Sequence, residues 1–433
     1  MIMRINSIDV LEEKKEVISI RERPRKKSVS TIIALFEGKL TPNQFEALKK
    51  ADTHASYKST VVANQTPKMA TTDLYAARVS ELSAARLLYG KMEDVPRVKL
   101  SNGVEMPVLA LGTALVEDVL GEEKVESINV QRKNGDAPAE MEPSILFHII
   151  TTAIELGYRA IDTAFIYGNQ KEVGEAIRAK IDDGTVKRED LFISNKLWST
   201  FHRPDLVEKA CRDSLEIMGL SYFDLYMIHN PMSFKEGDDV LPMKDGVVQE
   251  SEYDYMDAWS MMEELVPLGL ARSIGISNFN VSQVARVLKS AKIPPVVNQV
   301  ECHPYLAQDA LHDYCAEHKV QLNCFGVLGS KGTPSNLKSH SSPVIDDPLV
   351  KVLASGLNMA PAQLLIRYQL ERGHTVTVKA STGSHLWDNL KAVKLSLSPT
   401  EVNALHGLNK NKRTFTYKGM GETHKNYPFA DSS

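Results

Sequence analysis

The sequence predicts an α/β fold, a closed (β/α)8 TIM barrel preceded by an N-terminal extension, and three observations predict it. From Arg97 onward, short β-rich runs alternate eight times with helical patterns, as the βα units of a parallel sheet do. Polar residues close those runs at their C-terminal ends, which in a barrel converge on one face. No GxGxxG follows the first run, so the dinucleotide fingerprint of an open, doubly wound sheet is missing.

Residues 1–96 read as an extension, polar and basic in places, with a linker-like stretch at 53–72. Two helices are expected there. Residues 31–51 carry apolar positions at helical spacing, interrupted by Gly38 and Pro42, and residues 73–90 have a Thr cap before them and Gly90 after them. The extension either docks on the main domain or stays mobile. The barrel is expected over 97–433, with strands at 106–112, 159–164, 191–197, 223–229, 271–278, 295–301, 322–329 and 375–381. Amphipathic segments at 171–181, 203–220 and 360–373 supply helices between them. Residues 115–142 form a connection far longer than the usual βα loop of about 2 to 6 residues. It rises from the C-terminal face, either as a lid or specificity element or as a mobile surface insertion.

With 433 residues, 43% of them hydrophobic and 24% charged, the chain suits one large core plus an appendage. No run reaches the roughly 18 to 20 uninterrupted apolar residues of a membrane span. A net charge of −4 gives no basic field for nucleic acid, and the run RERPRKK at 21–27 is too short to supply one. Arg25, three positions before Ser28, matches a basophilic kinase site, a match short enough to arise by accident. Cys211, Cys302, Cys315 and Cys324 show no zinc spacing and are sparse for a secreted scaffold, so reduced thiols in a cytoplasmic protein are expected. The first 30 residues mix acids with bases and lack an apolar core, against a signal or transit peptide. The twelve histidines include no HExxH, and no metal is expected.

Three runs end in chemistry: RAIDTAFIY brings Asp162 and Tyr167, FISNKLW brings Lys196, and LYMIHNP brings His229. Alone, an Asp-Thr at a strand end reads as a turn, and a single His as a buried side chain satisfied by backbone. Together they read as a proton-transfer group. A phenol and an amine have ordinary pKa values of about 10 and 10.4. An ammonium beside the phenol is expected to lower the phenol pKa, and a carboxylate to hold the ammonium charged. Such a phenol donates a proton to a carbonyl oxygen as hydride reaches carbon, while an imidazole orients that oxygen.

These residues sit in segments that resemble the aldo-keto reductases: NGVEMPVLALGT (102–113), GYRAIDTAFIYGNQKEVGEAI (157–177), LFISNKLW (191–198), FDLYMIHNP (223–231), GISNF (275–279), NQVECHPYL (298–306) and HKNYPF (424–429). Number, order and spacing agree over about 97–433. The resemblance implies a reductase of aldehydes or ketones using NADPH, with Asp162, Tyr167, Lys196 and His229 as catalytic tetrad. It further implies Ser277, Asn278 and Gln299 at the nicotinamide carboxamide and Phe325 stacked on the ring where the family usually has Tyr. The segment 326–330, with Leu328 and Ser330, would approach the pyrophosphate, and the segment 379–389, with Lys379, His385 and Asn389, the adenosine phosphate.

The chain departs from the family pattern at several of these places. Val378 replaces a Pro, and His385 stands where an Arg usually clamps the 2′-phosphate, which weakens the preference for NADPH over NADH. Ala114 and Asn230 replace two aromatic residues, and a wider or more polar pocket is expected. The implied partner is a small carbonyl compound; neither nucleic acid nor membrane is implied, and the oligomeric state is left open. The second reading, motivated by the extension, is a regulatory or structural protein that binds cofactor with little or no turnover. The intact tetrad speaks against it.

Overall fold

The structure is a computed structural model that describes residues 71–114, 144–329, 343–417 and 421–430. The expected helix at 31–51, the Arg25–Ser28 motif, the 115–142 connection and Ser330 lie outside the described residues. The chain divides into two compact units, Met1–Leu88 and Tyr89–Ser433. Helix α1, Thr71–Tyr89, ends at Gly90, which takes the left-handed conformation that stops a helix without a side-chain penalty (φ 76°).

In the second unit, β1 (Arg97–Lys99) and β2 (Glu105–Pro107) form an antiparallel hairpin with Val98 opposite Met106. Eight parallel strands then close on themselves. In chain order they are β3 (Leu109–Gly112), β4 (Ala160–Asp162), β5 (Phe192–Leu197) and β6 (Leu225–Ile228), then β9 (Ile274–Ser277), β10 (Val297–Glu301), β11 (Gln321–Phe325) and β12 (Thr375–Val378). Around the barrel they follow the same order, β12 pairing with β3 through Thr377 and Ala110. A second small hairpin, β7 (Met243–Lys244) with β8 (Val247–Val248), lies between β6 and β9.

All eight expected strands are present, each with bounds that differ from the expected ones, and two of the differences have a plain local reason. The run 106–112 splits at Pro107: Glu105–Pro107 belongs to the hairpin, and only Leu109–Gly112 joins the barrel. Proline has no N–H for a ladder, so it stands where pairing changes partner. The run 322–329 stops at Phe325, because Gly326 turns left-handed (φ 66°) and Gly329 N–H closes a turn on its carbonyl (2.8 Å). Leu100 and Met106 pack with Ala110, Ala160, Phe192, Leu225, Met227, Val296 and Val297, so the hairpin region plugs the N-terminal mouth of the barrel.

Helices α2 (Ile145–Leu156), α3 (Gln170–Asp182), α4 (Pro204–Met218), α5 (Tyr255–Glu264), α6 (Val281–Ser290) and α7 (Asp309–Glu317) belong to the outer layer. It continues with α8 (Pro348–Gly356), α9 (Pro361–Glu371), α10 (Gly383–Lys391) and α11 (Pro399–His406). The expected helix at 203–220 is shortened by its punctuation: Pro204 sets the first turn and Gly219 (φ 62°) ends it. Gly174 in α3 lets the end of α4 approach closely, since a Cβ there would strike the backbone carbonyl of Met218. Among the described residues, no single helix is long and apolar enough to cross a membrane.

Candidate active site

The C-terminal ends of β4, β5, β6, β9 and β10 meet around one buried carboxylate. Lys196, on β5, is 0% exposed, and its ammonium lies 2.6 Å from Asp162 Oδ1 and donates to the Thr163 carbonyl at 3.0 Å. Asp162 Oδ2 accepts from Ser194 Oγ (2.8 Å) and Gln299 Nε2 (2.9 Å). Burying this pair is tolerable only because both partners keep further hydrogen bonds.

Tyr167 ends the single turn Phe165–Tyr167, closed by Gly168 at φ 63°. Buried Asn169 pins the turn, donating to the Thr113 carbonyl at 2.9 Å. Lys196 Nζ stands 5.3 Å from the Tyr167 ring centroid, and the Tyr167 hydroxyl makes no hydrogen bond to a described residue. His229 follows β6 directly, its ring edge-on to Tyr167 (centroids 5.8 Å apart) and to Trp198 (5.4 Å). His229 Nδ1 is buried without a partner. Asn278, left-handed at φ 64°, holds the His229 backbone by donating to its carbonyl at 2.9 Å.

Protonation differs from the expectation in two respects. Burial, seconded by the Asp162 carboxylate, raises the Tyr167 phenol well above its ordinary value, where the sequence predicts a lowered one. Burial also lowers the Lys196 ammonium, with Asp162 opposing it. Burial is the first cause of both, and Asp162, in contact with Lys196, offsets much of the charge that would otherwise act on the phenol. His229 is held well below its ordinary value, first by burial and then by Lys196, so it is a neutral imidazole at pH 7.

The expected cofactor residues fall into two groups. Ser277, Asn278 and Gln299 are buried beside the tetrad, with Ser277 Oγ donating to the Gln299 carbonyl at 2.8 Å. Phe325 ends β11 and meets Phe415 edge-on at 5.7 Å, while Leu328 packs into the apolar cluster around Val344 and Leu365. Lys379 and His385 are exposed at the start of α10, and Asn389 is buried with its amide donating to the Lys379 carbonyl at 3.3 Å. Thr382 caps α10 by accepting from His385 N–H at 3.0 Å.

Asn230, expected to go with a wider or more polar pocket, spends its polar atoms on protein partners. It is 0% exposed, its amide donating to Ser199 Oγ (2.9 Å) and accepting from Met232 N–H (2.9 Å). Phe165, Phe201, Tyr417 and Tyr427 pack with Tyr167 on a core containing Trp198 and Phe234. Trp198 was not singled out from the sequence, though it could have been found as the residue two beyond Lys196, on the same side of the chain. Tyr417 and its anchor could not have been, since the C-terminal segment carries no periodicity. Glu301 fixes that segment, accepting from Thr414 N–H (2.7 Å) and Phe415 N–H (2.9 Å).

A barrel with this constellation at its C-terminal face invites comparison with known proteins. A family model described as Aldo/keto reductase family matches residues 131–410. Aldo-keto reductase family 1 member C3 of Pongo abelii is 39% identical over 337 residues, which is 77% of this chain and 97% of that protein. The chain belongs to the aldo/keto reductase family. Two further aldo/keto reductase relatives are each 38% identical: prostaglandin-E(2) 9-reductase of Oryctolagus cuniculus, covering 77% of this chain and 98% of that protein, and estradiol 17 beta-dehydrogenase 5 of Mus musculus, covering 77% and 97%. As a member of the aldo/keto reductase family, the chain is an oxidoreductase of carbonyl groups.

Proposed function

We propose that this enzyme reduces aldehydes or ketones to alcohols with NADPH, and that Tyr167 gives the proton. The observation that carries the reading is the fully buried Lys196–Asp162 pair beneath the ring of a tyrosine whose hydroxyl makes no hydrogen bond to a described residue. Tyr167 protonates the carbonyl oxygen, a step that needs a phenol still carrying its proton, and burial keeps it so. Lys196, its ammonium 5.3 Å from the ring centroid, gives the phenolate left behind the part of its charge that Asp162 does not offset. Asp162 keeps the ammonium tolerable in a dry site, and Ser194 and Gln299 hold Asp162. Neutral His229 presents an N–H that orients the carbonyl oxygen before transfer.

The residues present fit a nicotinamide dinucleotide. Gln299 gives its amide N–H to Asp162 and so offers Oε1 to a carboxamide, Phe325 offers a half-buried aromatic face, and Lys379 and His385 lie exposed for a phosphate. When bound, the reduced ring supplies the hydride. Lys379 supports NADPH over NADH. Four free, buried thiols support a reducing, cytoplasmic setting. The aromatic cluster around Tyr167 supports bulky apolar carbonyl substrates, in line with relatives named for estradiol and prostaglandin E2. A panel of aldehydes, ketosteroids and prostanoids, followed by NADPH absorbance, tests the proposal; no oxidation of NADPH on any of them would overturn it.

A further inference from the structure

On the outer side of the barrel wall, the strands that carry Gln299 and Phe325 bring a different set of side chains together. Residues alternate sides along a strand, so Cys302 and Cys324 face the helix layer when Gln299 and Phe325 face the site. There they meet His374, which precedes β12, and Gln369 of α9. Cys302, Cys324 and Gln369 are 0% exposed and His374 is 3% exposed.

We propose that Cys302, Cys324, His374 and Gln369 form a binding site for a thiophilic divalent cation of the Zn2+ kind. The ligand atoms of the two cysteines and the histidine lie within 4.8 Å of one another. Gln369 Oε1 completes a tetrahedron, 3.6 Å from Cys302 Sγ, 3.7 Å from Cys324 Sγ and 2.8 Å from His374 Nδ1, with Cys324 Sγ 3.3 Å from that nitrogen. A tetrahedral zinc site with bonds of about 2.0 to 2.3 Å separates its ligand atoms by about 3.3 to 3.8 Å, so the four pairs above need shifts of about half an ångström or less and the remaining two, within 4.8 Å, shifts of about 1 Å or less.

The surroundings match a metal site beyond its ligands. His374 Nε2 meets His312 Nδ1 at 2.8 Å, which fixes the ring so that Nδ1 faces inward. Arg372, paired with Asp309 at 2.9 Å, donates to Cys302 Sγ at 3.7 Å and favours a thiolate there. Three donors crowd onto Gln369 Oε1 while its buried Nε2 has no partner. A cation at the centre relieves that crowding: two S–H protons leave to solvent, two thiolates balance the divalent charge, and the imidazole stays neutral. The residues are far apart in sequence, which is why no spacing announced them.

Co2+ is the probe, supplied both during expression and to the folded full-length chain under anaerobic, reducing conditions. One bound equivalent with thiolate-to-cobalt charge-transfer absorption, displaced by Zn2+, is expected. The band is lost in Cys302→Ser/Cys324→Ser and kept in Cys211→Ser/Cys315→Ser. No such band after either loading, or an undiminished band in Cys302→Ser/Cys324→Ser, overturns the proposal. Cadmium NMR on the wild-type chain needs no variant: a resonance typical of two thiolate ligands supports the site, and one typical of none refutes it.

Discussion

Replacing Tyr167 by Phe removes one oxygen from the place where turnover and stability separate most cleanly. The hydroxyl makes no hydrogen bond to a described residue, so its loss strands no donor or acceptor among them. The ring keeps its contacts with Lys196 (5.3 Å) and His229 (5.8 Å). Stability should therefore move by less than about 1 kcal/mol, within the range of changes that leave no unpaired group. Catalysis should not be spared. A positioned acid contributes about 10²- to 10⁴-fold, and His229, held neutral and well below its ordinary pKa, is a poor substitute donor. Carbonyl-dependent NADPH oxidation, a thermal melt and quenching of protein fluorescence by NADPH are measured on both chains. The expected result is a loss of kcat of at least about a hundredfold, with melting and cofactor affinity unchanged. A Phe variant that turns over within tenfold of wild type would refute the assignment of the proton to Tyr167.

Lys196→Met leaves the Asp162 carboxylate buried without its cation, so it should cost about 3 to 5 kcal/mol in denaturant titration as well as turnover. His385→Arg should restore a bidentate phosphate contact and raise the NADPH-to-NADH affinity ratio by about tenfold or more, read from paired dissociation constants. Glu301→Gln keeps the shape but has one carboxamide oxygen for the two N–H groups of Thr414 and Phe415; KM should rise more than kcat falls, because the segment that carries Tyr417 loosens. His202 is buried with a pKa pushed down to about 3, so the unfolded chain binds one more proton between its ordinary pKa and that value. Its contribution is complete above pH 6.5 and shrinks as pH falls, by about 2 kcal/mol at pH 5, and His202→Asn should flatten that slope in urea titrations.

The eight strands were legible because each is an apolar, β-rich run with a polar end, a pattern set by burial on both faces. Their limits were less so. Pro107 and Gly326 sit inside runs that look continuous, and only pairing partners reveal where each strand stops. That Asp162, Tyr167, Lys196 and His229 come together was visible through residue types at or just after strand ends, whereas their electrostatics were not. The order of strengths between burial and a nearby ammonium depends on the 2.6 Å contact that neutralises Lys196, and no sequence displays that distance. Asn230 shows a similar limit: a polar residue beside His229 implies a polar pocket only if it faces inward, and its amide is engaged with Ser199.

One hydrogen bond ties the chemistry to the architecture. Gln299 on β10 and Asp162 on β4 are four strands apart in either direction around the sheet. In an open sheet, four steps of about 4.8 Å would separate them by about 19 Å. They are joined instead at 2.9 Å, side chain to side chain across the barrel interior. The carboxylate therefore takes Lys196 from the neighbouring strand and Gln299 from the opposite wall, and only a closed sheet supplies both. Closure also explains how a charged pair with a 0%-exposed lysine persists: its remaining hydrogen-bonding capacity is met from strands that no flat arrangement could bring within reach. Loosening β10 should thus be felt at Asp162 and Tyr167 before it is felt in the core.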